Sequence, residues 1–169
     1  MTLLFLSLIL LSDSIDSTGS TDSCRSLSNA DFKFYVTSGT NDWVVSEQYP
    51  NGVYASVVSA VSWAVVIPPE TSWIWESPVI FVKTITVTRY FFVPGKLISV
   101  SFIGATDDYS TVKINGGASC SIPSFDKYYS CDFTSSVIPG LNKLEIVGVD
   151  LAPIGANIMY KLIIVSKLV

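Results

Sequence analysis

Ala105-Thr-Asp-Asp-Tyr-Ser-Thr-Val-Lys-Ile-Asn-Gly116 places an acidic turn, an alternating strand and an Asn-Gly turn in immediate succession. Thr111-Val-Lys-Ile alternates polar and apolar residues, the period-two pattern of a half-buried strand. Asn115-Gly116 is the strongest short hairpin signal a sequence offers, because both residues tolerate the positive φ of a type I′ turn. Asp107 and Asp108 suit the turn before the strand, where short carboxylates accept backbone N–H bonds.

Outward from this stretch the same grammar repeats. Phe32-Lys-Phe-Tyr-Val reads as a first strand and is ended by the turn residues Ser38-Gly-Thr-Asn-Asp. Trp43-Val-Val runs into the turn Tyr49-Pro-Asn-Gly, and Val53 to Trp63 follows. That segment fits a helical period, but its Val, Tyr, Trp and Ser content favours strand. Pro68-Pro69 stops it. Val79 to Phe92 reads as one long β-rich stretch, with Lys83, Thr84, Thr86, Thr88 and Arg89 at partly solvated positions, and Pro94-Gly95 turns the chain. In Leu97 to Gly104 the residues Ile98, Val100 and Phe102 share one face. Asn142 to Val149 and Ile158 to Val165 close the domain. Short strands punctuated by Gly, Pro and Asn predict an all-β fold. It is an antiparallel two-sheet β-sandwich, a jelly roll of about eight strands.

The chain has 169 residues, one domain by length, which we place at residues 32–169. Charged residues are 14% of it, against roughly 25% in ordinary soluble domains, and hydrophobic residues are 49%. Ten Lys and Arg against fourteen Asp and Glu give a net charge of -4. No basic cluster is present to neutralise phosphates, so nucleic acid is not an expected partner. The apolar run Thr2 to Leu11, followed by polar Ser12 to Ser23, has the layout of a secretory leader, with no Lys or Arg ahead of it. This assigns residues 1–19 to a signal peptide, cleaved near residue 15 or 20, and residues 20–31 to a flexible polar lead-in. The alternative is an uncleaved apolar segment buried in an assembly. The run is too short for a bilayer span, which needs about 20 residues, so a secreted, extracellular or cell-surface protein without a transmembrane segment is expected.

Secretion permits disulfides, and Cys120 and Cys131 bracket a loop whose ends can meet. We expect that bridge. Cys24 is left as a buried thiol, an intermolecular staple or the true partner of Cys120, and parity does not choose.

The chain contains no histidine. That removes Ser-His-Asp and Cys-His devices, the commonest general base and the usual zinc sites. No Gly-x-Ser-x-Gly, phosphate loop or dinucleotide fingerprint occurs, and none of the fourteen acids stands out as a glycosidase pair. The expectation is a protein that is not an enzyme.

Taken in order, Trp63, Trp73-Ile-Trp75, Lys83 to Phe92, Ala105 to Gly116 and Pro139-Gly-Leu-Asn-Lys-Leu-Glu-Ile-Val147 resemble the galactose-binding-like β-sandwich. This jelly-roll domain occurs in lectins, carbohydrate-binding modules and accessory domains of extracellular enzymes. The resemblance covers about residues 40 to 165 and implies architecture first, since such signatures recur on domains with many ligands and some with none. It also implies glycans as partners. The alternative reading of Asp107 and Asp108 is a structural calcium site, because oxygen-rich loops suit a hard cation and some relatives of this fold carry one.

A sugar needs an aromatic face for its C–H groups and polar partners for its hydroxyls. Trp63, Trp73 and Trp75 are assigned to the core. Trp43 beside Asn41 and Asp42, with Tyr49 and Asn51 in the next turn, forms the first candidate ligand edge. Tyr109, Tyr128 and Tyr129, near Asp107, Asp108, Asp126 and Lys127, form the second. Two functions compete: a secreted, non-catalytic, carbohydrate-binding or adhesive domain, and a structural subunit of an extracellular homopolymer such as a filament or coat. The second would join copies through Cys24 or an edge strand such as Ile158 to Val165.

Overall fold

The structure is a computed structural model that describes residues 31–59, 65 and 70–168. The leader, most of the lead-in, Cys24, Trp63 and Pro68-Pro69 lie outside the described residues. Among the described residues the regular structure is twelve strands and one 3-10 turn at Thr134–Ser136. The strands are β1 (Asp31–Thr37), β2 (Trp43–Ser46), β3 (Val53–Tyr54), β4 (Ser56–Val57), β5 (Ile74–Trp75), β6 (Thr84–Val93), β7 (Lys96–Asp107), β8 (Tyr109–Ile114), β9 (Cys120–Ile122), β10 (Tyr129–Asp132), β11 (Gly140–Val149) and β12 (Asn157–Lys167). Eight of them have four residues or more, and all pairings are antiparallel. Among the described residues no helix is long and apolar enough to cross a membrane.

Two six-stranded sheets result. The first runs β10-β7-β12-β5-β4, with β1 also paired to β12; the second runs β3-β2-β6-β11-β8-β9. Alternation along the long strands decides which residues meet between them. Val100 and Phe102 of β7 and Ile158, Tyr160, Leu162 and Ile164 of β12 point inward from the first sheet. Ile85, Val87, Phe91 and Val93 of β6 and Leu144 and Ile146 of β11 answer from the second. Each such burial contributes roughly 1.5 to 3 kcal/mol.

Three departures from the sequence reading have physical causes. Residues 79–83 are not strand: Val82 has φ 56°, outside the extended region, and its N–H is taken by the carboxylate of Asp150. Trp73 and Trp75 do not share one core. Trp75 lies in the inter-sheet cluster, whereas Trp73 packs on Ala105 and Met159, which alternation puts on the outer side of the first sheet. Asp107 and Asp108 do not turn a hairpin. β7 ends in the first sheet and β8 begins in the second, so the acids sit where the chain changes sheets.

The Asn-Gly turn forms as its residues dictate: Asn115 (φ 53°) and Gly116 (φ 69°) link β8 to its partner β9. The Asn115 side chain donates to Ser136 O at 3.0 Å and Asn142 Oδ1 at 2.7 Å and accepts from Lys143 N at 2.9 Å. Asn142, buried, holds Ile138 N and the carbonyls of Ile138 and Gly140. Two asparagines far apart in sequence thus satisfy the backbone where β11 opens. The disulfide Cys120–Cys131 is present and ties β9 of the second sheet to β10 of the first.

Candidate functional site

The outer face of the second sheet carries exposed aromatic side chains. In β2, Val44 and Ser46 point inward, so Trp43 points out, and its cross-strand neighbours are Tyr54 on one side and Thr88 on the other. Along β6 the even residues Thr86, Thr88, Tyr90 and Phe92 share that face. Register then places Lys143 beside Tyr90, Leu141 beside Phe92 and Glu145 beside Thr88. Trp43 is 38% exposed, Tyr54 64% and Tyr90 61%. Asn41, Trp43, Tyr54, Thr88, Arg89, Tyr90 and Lys143 line an open basin of about 900 Å³.

The indole is held in place. Tyr54 meets it edge to face, with ring centroids 5.1 Å apart. Gly52, at φ 82°, lies beneath it, where a Cβ would come within 2.0 Å of Trp43 Nε1. Gly52 is the last residue of the Tyr49-Pro-Asn-Gly turn, closed by Gly52 N to Tyr49 O at 2.9 Å. On the other strand Lys143 Nζ bonds Glu145 Oε2 at 2.6 Å, which with the charge of Glu145 keeps its ammonium above the usual lysine range.

Asp42 is buried behind this face. Its carboxylate accepts from Gly39 N at 2.8 Å and from Tyr160 OH at 2.5 Å. Burial pushes the carboxyl up, while those two bonds and the charge of Arg89 pull it down, and the net shift is upward. Burial and the Asp42 charge hold the Tyr160 hydroxyl well above its ordinary value. Arg89, on an inward-facing position of β6, links this network to the basin it lines.

The remaining residues singled out from sequence disperse. Asn41 lines the basin; Asn51 is exposed at the turn tip; Tyr49 is half-buried, its hydroxyl donating to Ser77 O at 2.7 Å. Tyr109 begins β8 in the second sheet, whereas Tyr128 precedes and Tyr129 opens β10 in the first, so the second candidate rim is split between sheets. Tyr129 packs on the core beneath Lys127, and burial raises the Tyr128 hydroxyl. Sequence reasoning missed Tyr54 and Tyr90. The even-numbered alternation of Thr84 to Phe92 was the signal for Tyr90; Tyr54 is brought to Trp43 only by the hairpin.

Asp107 and Asp108 lie at the opposite end of β8 from the Asn-Gly turn. Burial first, then the charges of Asp108 and Asp150 and a hydrogen bond with Asp108, push the Asp107 carboxyl up to about 6. Burial raises Asp150 too, against the N–H groups of Val82 and Ala152. Among the described residues no three acidic, cysteine or histidine side chains are arranged to hold a metal ion.

No protein-family model matches the sequence, and no curated protein is significantly similar to it. Solved structures do match. The β-D-glucuronidase of Dictyoglomus thermophilum aligns with a TM-score of 0.51 and 15% identity over 80% of this chain and 28% of that one. An uncultured Clostridium sp. β-glucuronidase aligns at 0.50 and 12%, over 82% and 30%. A family 35 carbohydrate-binding module from Clostridium thermocellum aligns at 0.47 and 10%, over 77% and 97%. The chain spans less than a third of each glucuronidase it matches. At such identities the likeness is one of fold: the chain shares a two-sheet antiparallel β-sandwich with parts of these glucuronidases.

Proposed function

We propose that this protein is a secreted, non-catalytic carbohydrate-recognition domain that binds glycan across the outer face of its second sheet. The observation that carries the reading is the basin in which Trp43, Tyr54 and Tyr90 stand exposed beside Asn41, Thr88, Arg89 and Lys143. Aromatic faces pack against the C–H side of a pyranose, and the amide, hydroxyl and cationic groups between them can pair with its hydroxyls. Strands about 4.8 Å apart set these groups on an open surface that suits a length of chain more than a single small molecule. The proteins it resembles in fold include β-glucuronidases, named for a carbohydrate substrate, and that likeness agrees with the reading.

The test is a glycan array followed by calorimetry on the best ligand. Trp43→Ala, with the far-ultraviolet spectrum unchanged, is expected to weaken binding by about 30-fold or more, as for a buried aromatic anchor. Undiminished binding in that variant, or silence across a broad array, removes the assignment.

A further inference from the structure

Charge is polarised along the two central strands of the first sheet. β7 begins at Lys96 and ends at Asp107, while β12 begins opposite Asp107 and ends at Lys167, opposite Lys96. Asp108 and Asp150 add their charges at the acidic end, and Lys33 of β1 lies at the basic one, across from Val165. The ion pairs among the described residues, Lys83–Glu76, Lys143–Glu145 and Lys161–Glu70, involve none of these groups. β12 has 11 residues, which at about 3.4 Å each separates its ends by some 34 Å, several Debye lengths at physiological salt. The two charge groups therefore do not neutralise each other within one molecule. Lys96 and Lys167 moreover face each other directly, a like-charge pair that costs stability until an anion comes between them; Asp31 stands across from Lys167 on its other side.

The acidic end is also apolar. Two loops meet there, the one before β6 and the one before β12, tied by Val82 N to the carboxylate of Asp150 and by Asp150 N to Lys83 O at 2.9 Å. Leu151 N in turn donates to Asp108 Oδ2 at 2.6 Å. These loops expose Ile80, Phe81, Val82, Leu151 and Ile154, the last three to 60% or more. Five large apolar side chains gathered on two joined loops are a patch rather than scattered surface residues. What covers it must bring apolar side chains and positive charge together.

We propose that this protein associates with copies of itself head to tail, the apolar, acidic end of one copy docking on the basic outer face of the first sheet of the next. That face has the complementary chemistry. Leu162 and Ile164 point into the core, so Ile163 and Val165 point out, half-buried, among Lys33, Lys96 and Lys167. Tyr35, 43% exposed, stands opposite Ile163, with Lys33 Nζ 5.8 Å and Lys161 Nζ 4.0 Å from its ring centroid. Lysines beside apolar side chains thus meet aspartates beside apolar side chains. The contact joins two different surfaces, so each added copy leaves one of each free and the assembly grows as an open chain. The aromatic basin lies on the other sheet and stays uncovered, so such a chain would present it repeatedly and gain avidity for a long glycan.

The experiment is sedimentation velocity of the full chain over a concentration series at low ionic strength. The wild type is expected to show a sedimentation coefficient that rises with concentration. Leu151→Ser with Ile154→Ser blunts the end, and Lys33→Glu with Lys96→Glu reverses the face; all four positions are exposed. Each double variant alone should associate about 30-fold more weakly or less, because apolar contact is lost or like charges meet. Mixed in equal amounts, the two should form dimers and nothing larger, since each supplies the surface the other lacks. That restoration also shows both variants to be folded. A wild type that stays monomeric throughout the series overturns the proposal, as does undiminished association of either variant alone or a mixture that remains monomeric. Flotation of a monomeric wild type with phosphatidylcholine vesicles would assign the apolar end to a lipid surface instead.

Discussion

At the scale of single residues, the shape of the basin depends on positions that lie behind it. Gly52→Ala puts a methyl where the Trp43 indole lies and adds a side chain at φ 82°. The expected result is a domain that still folds but binds glycan about tenfold more weakly, through displacement of an aromatic anchor, with a changed Trp fluorescence maximum as the direct readout. Asp42 makes the complementary case. Its folded carboxyl lies above the ordinary value of 3.8, so its contribution to stability is fully present below that pH and is lost as pH rises through the folded value. Asp42→Asn keeps one acceptor oxygen, for Gly39 N, and its Nδ2 can donate to a Tyr160 hydroxyl turned to accept, so both contacts stay paired without the buried charge. It should flatten that part of the pH–stability profile and leave stability at pH 7 unchanged or slightly higher, while glycan affinity falls because Arg89 loses its counter-charge. A parallel loss of stability at pH 7 would show the charge to be structural. Trp43, Asn41 and Asp42 were legible as a polar and aromatic group from three adjacent letters. The division of labour among them was not, since Asp42 is turned inward by alternation and meets Tyr160 only across the sandwich.

At the scale of elements, local chemistry was readable wherever a turn residue acts on its own neighbours. Asn115-Gly116 announced a hairpin and made one, and Cys120 and Cys131 announced their bridge. What failed was any inference needing a partner from elsewhere. Val79 to Lys83 has β-favouring letters, but Asp150 captures Val82 N and Glu76, inside the protein, takes Lys83 together with Ser46 Oγ. The Asp107-Asp108 corner looked like a hairpin turn because the sequence does not show that β7 and β8 belong to different sheets. The bridge gives the clean test here. β9 has three residues and β10 four, both at sheet edges, so the covalent link holds elements that have little other pairing. Replacing both cysteines by serine should cost about 2 to 3 kcal/mol and lower Tm by about 5 to 10 °C. The basin, on β2, β3, β6 and β11, should bind as before; a matching loss of affinity would mean that the edge strands support it.

At the scale of the whole molecule, the sandwich separates its aromatic basin from its acidic corner along one strand. β6 enters at Thr84, opposite Val149 and next to the acidic corner, and reaches the basin at Thr88 and Tyr90. At about 3.4 Å per residue the corner and the aromatic surface are some 14 to 20 Å apart, farther than the Debye length of about 8 Å at physiological salt. They also lie on different surfaces: the corner joins the sheets at an end, and the basin lies on the outside of one sheet. A change of charge at Asp107 should therefore act on the fold and leave recognition alone. Asp107→Asn replaces a carboxyl that burial and the charges of Asp108 and Asp150 push up to about 6; it is expected to raise Tm above that pH, where the wild-type group must ionise, while glycan affinity, measured well below the transition, stays within about threefold, because no charge or contact of the corner reaches the basin. Loss of glycan binding in Asp107→Asn at a temperature where the circular dichroism spectrum is intact would instead require a coupling through β6, whose inward residues Ile85 and Val87 are packed in the inter-sheet core and whose outward residues carry the basin.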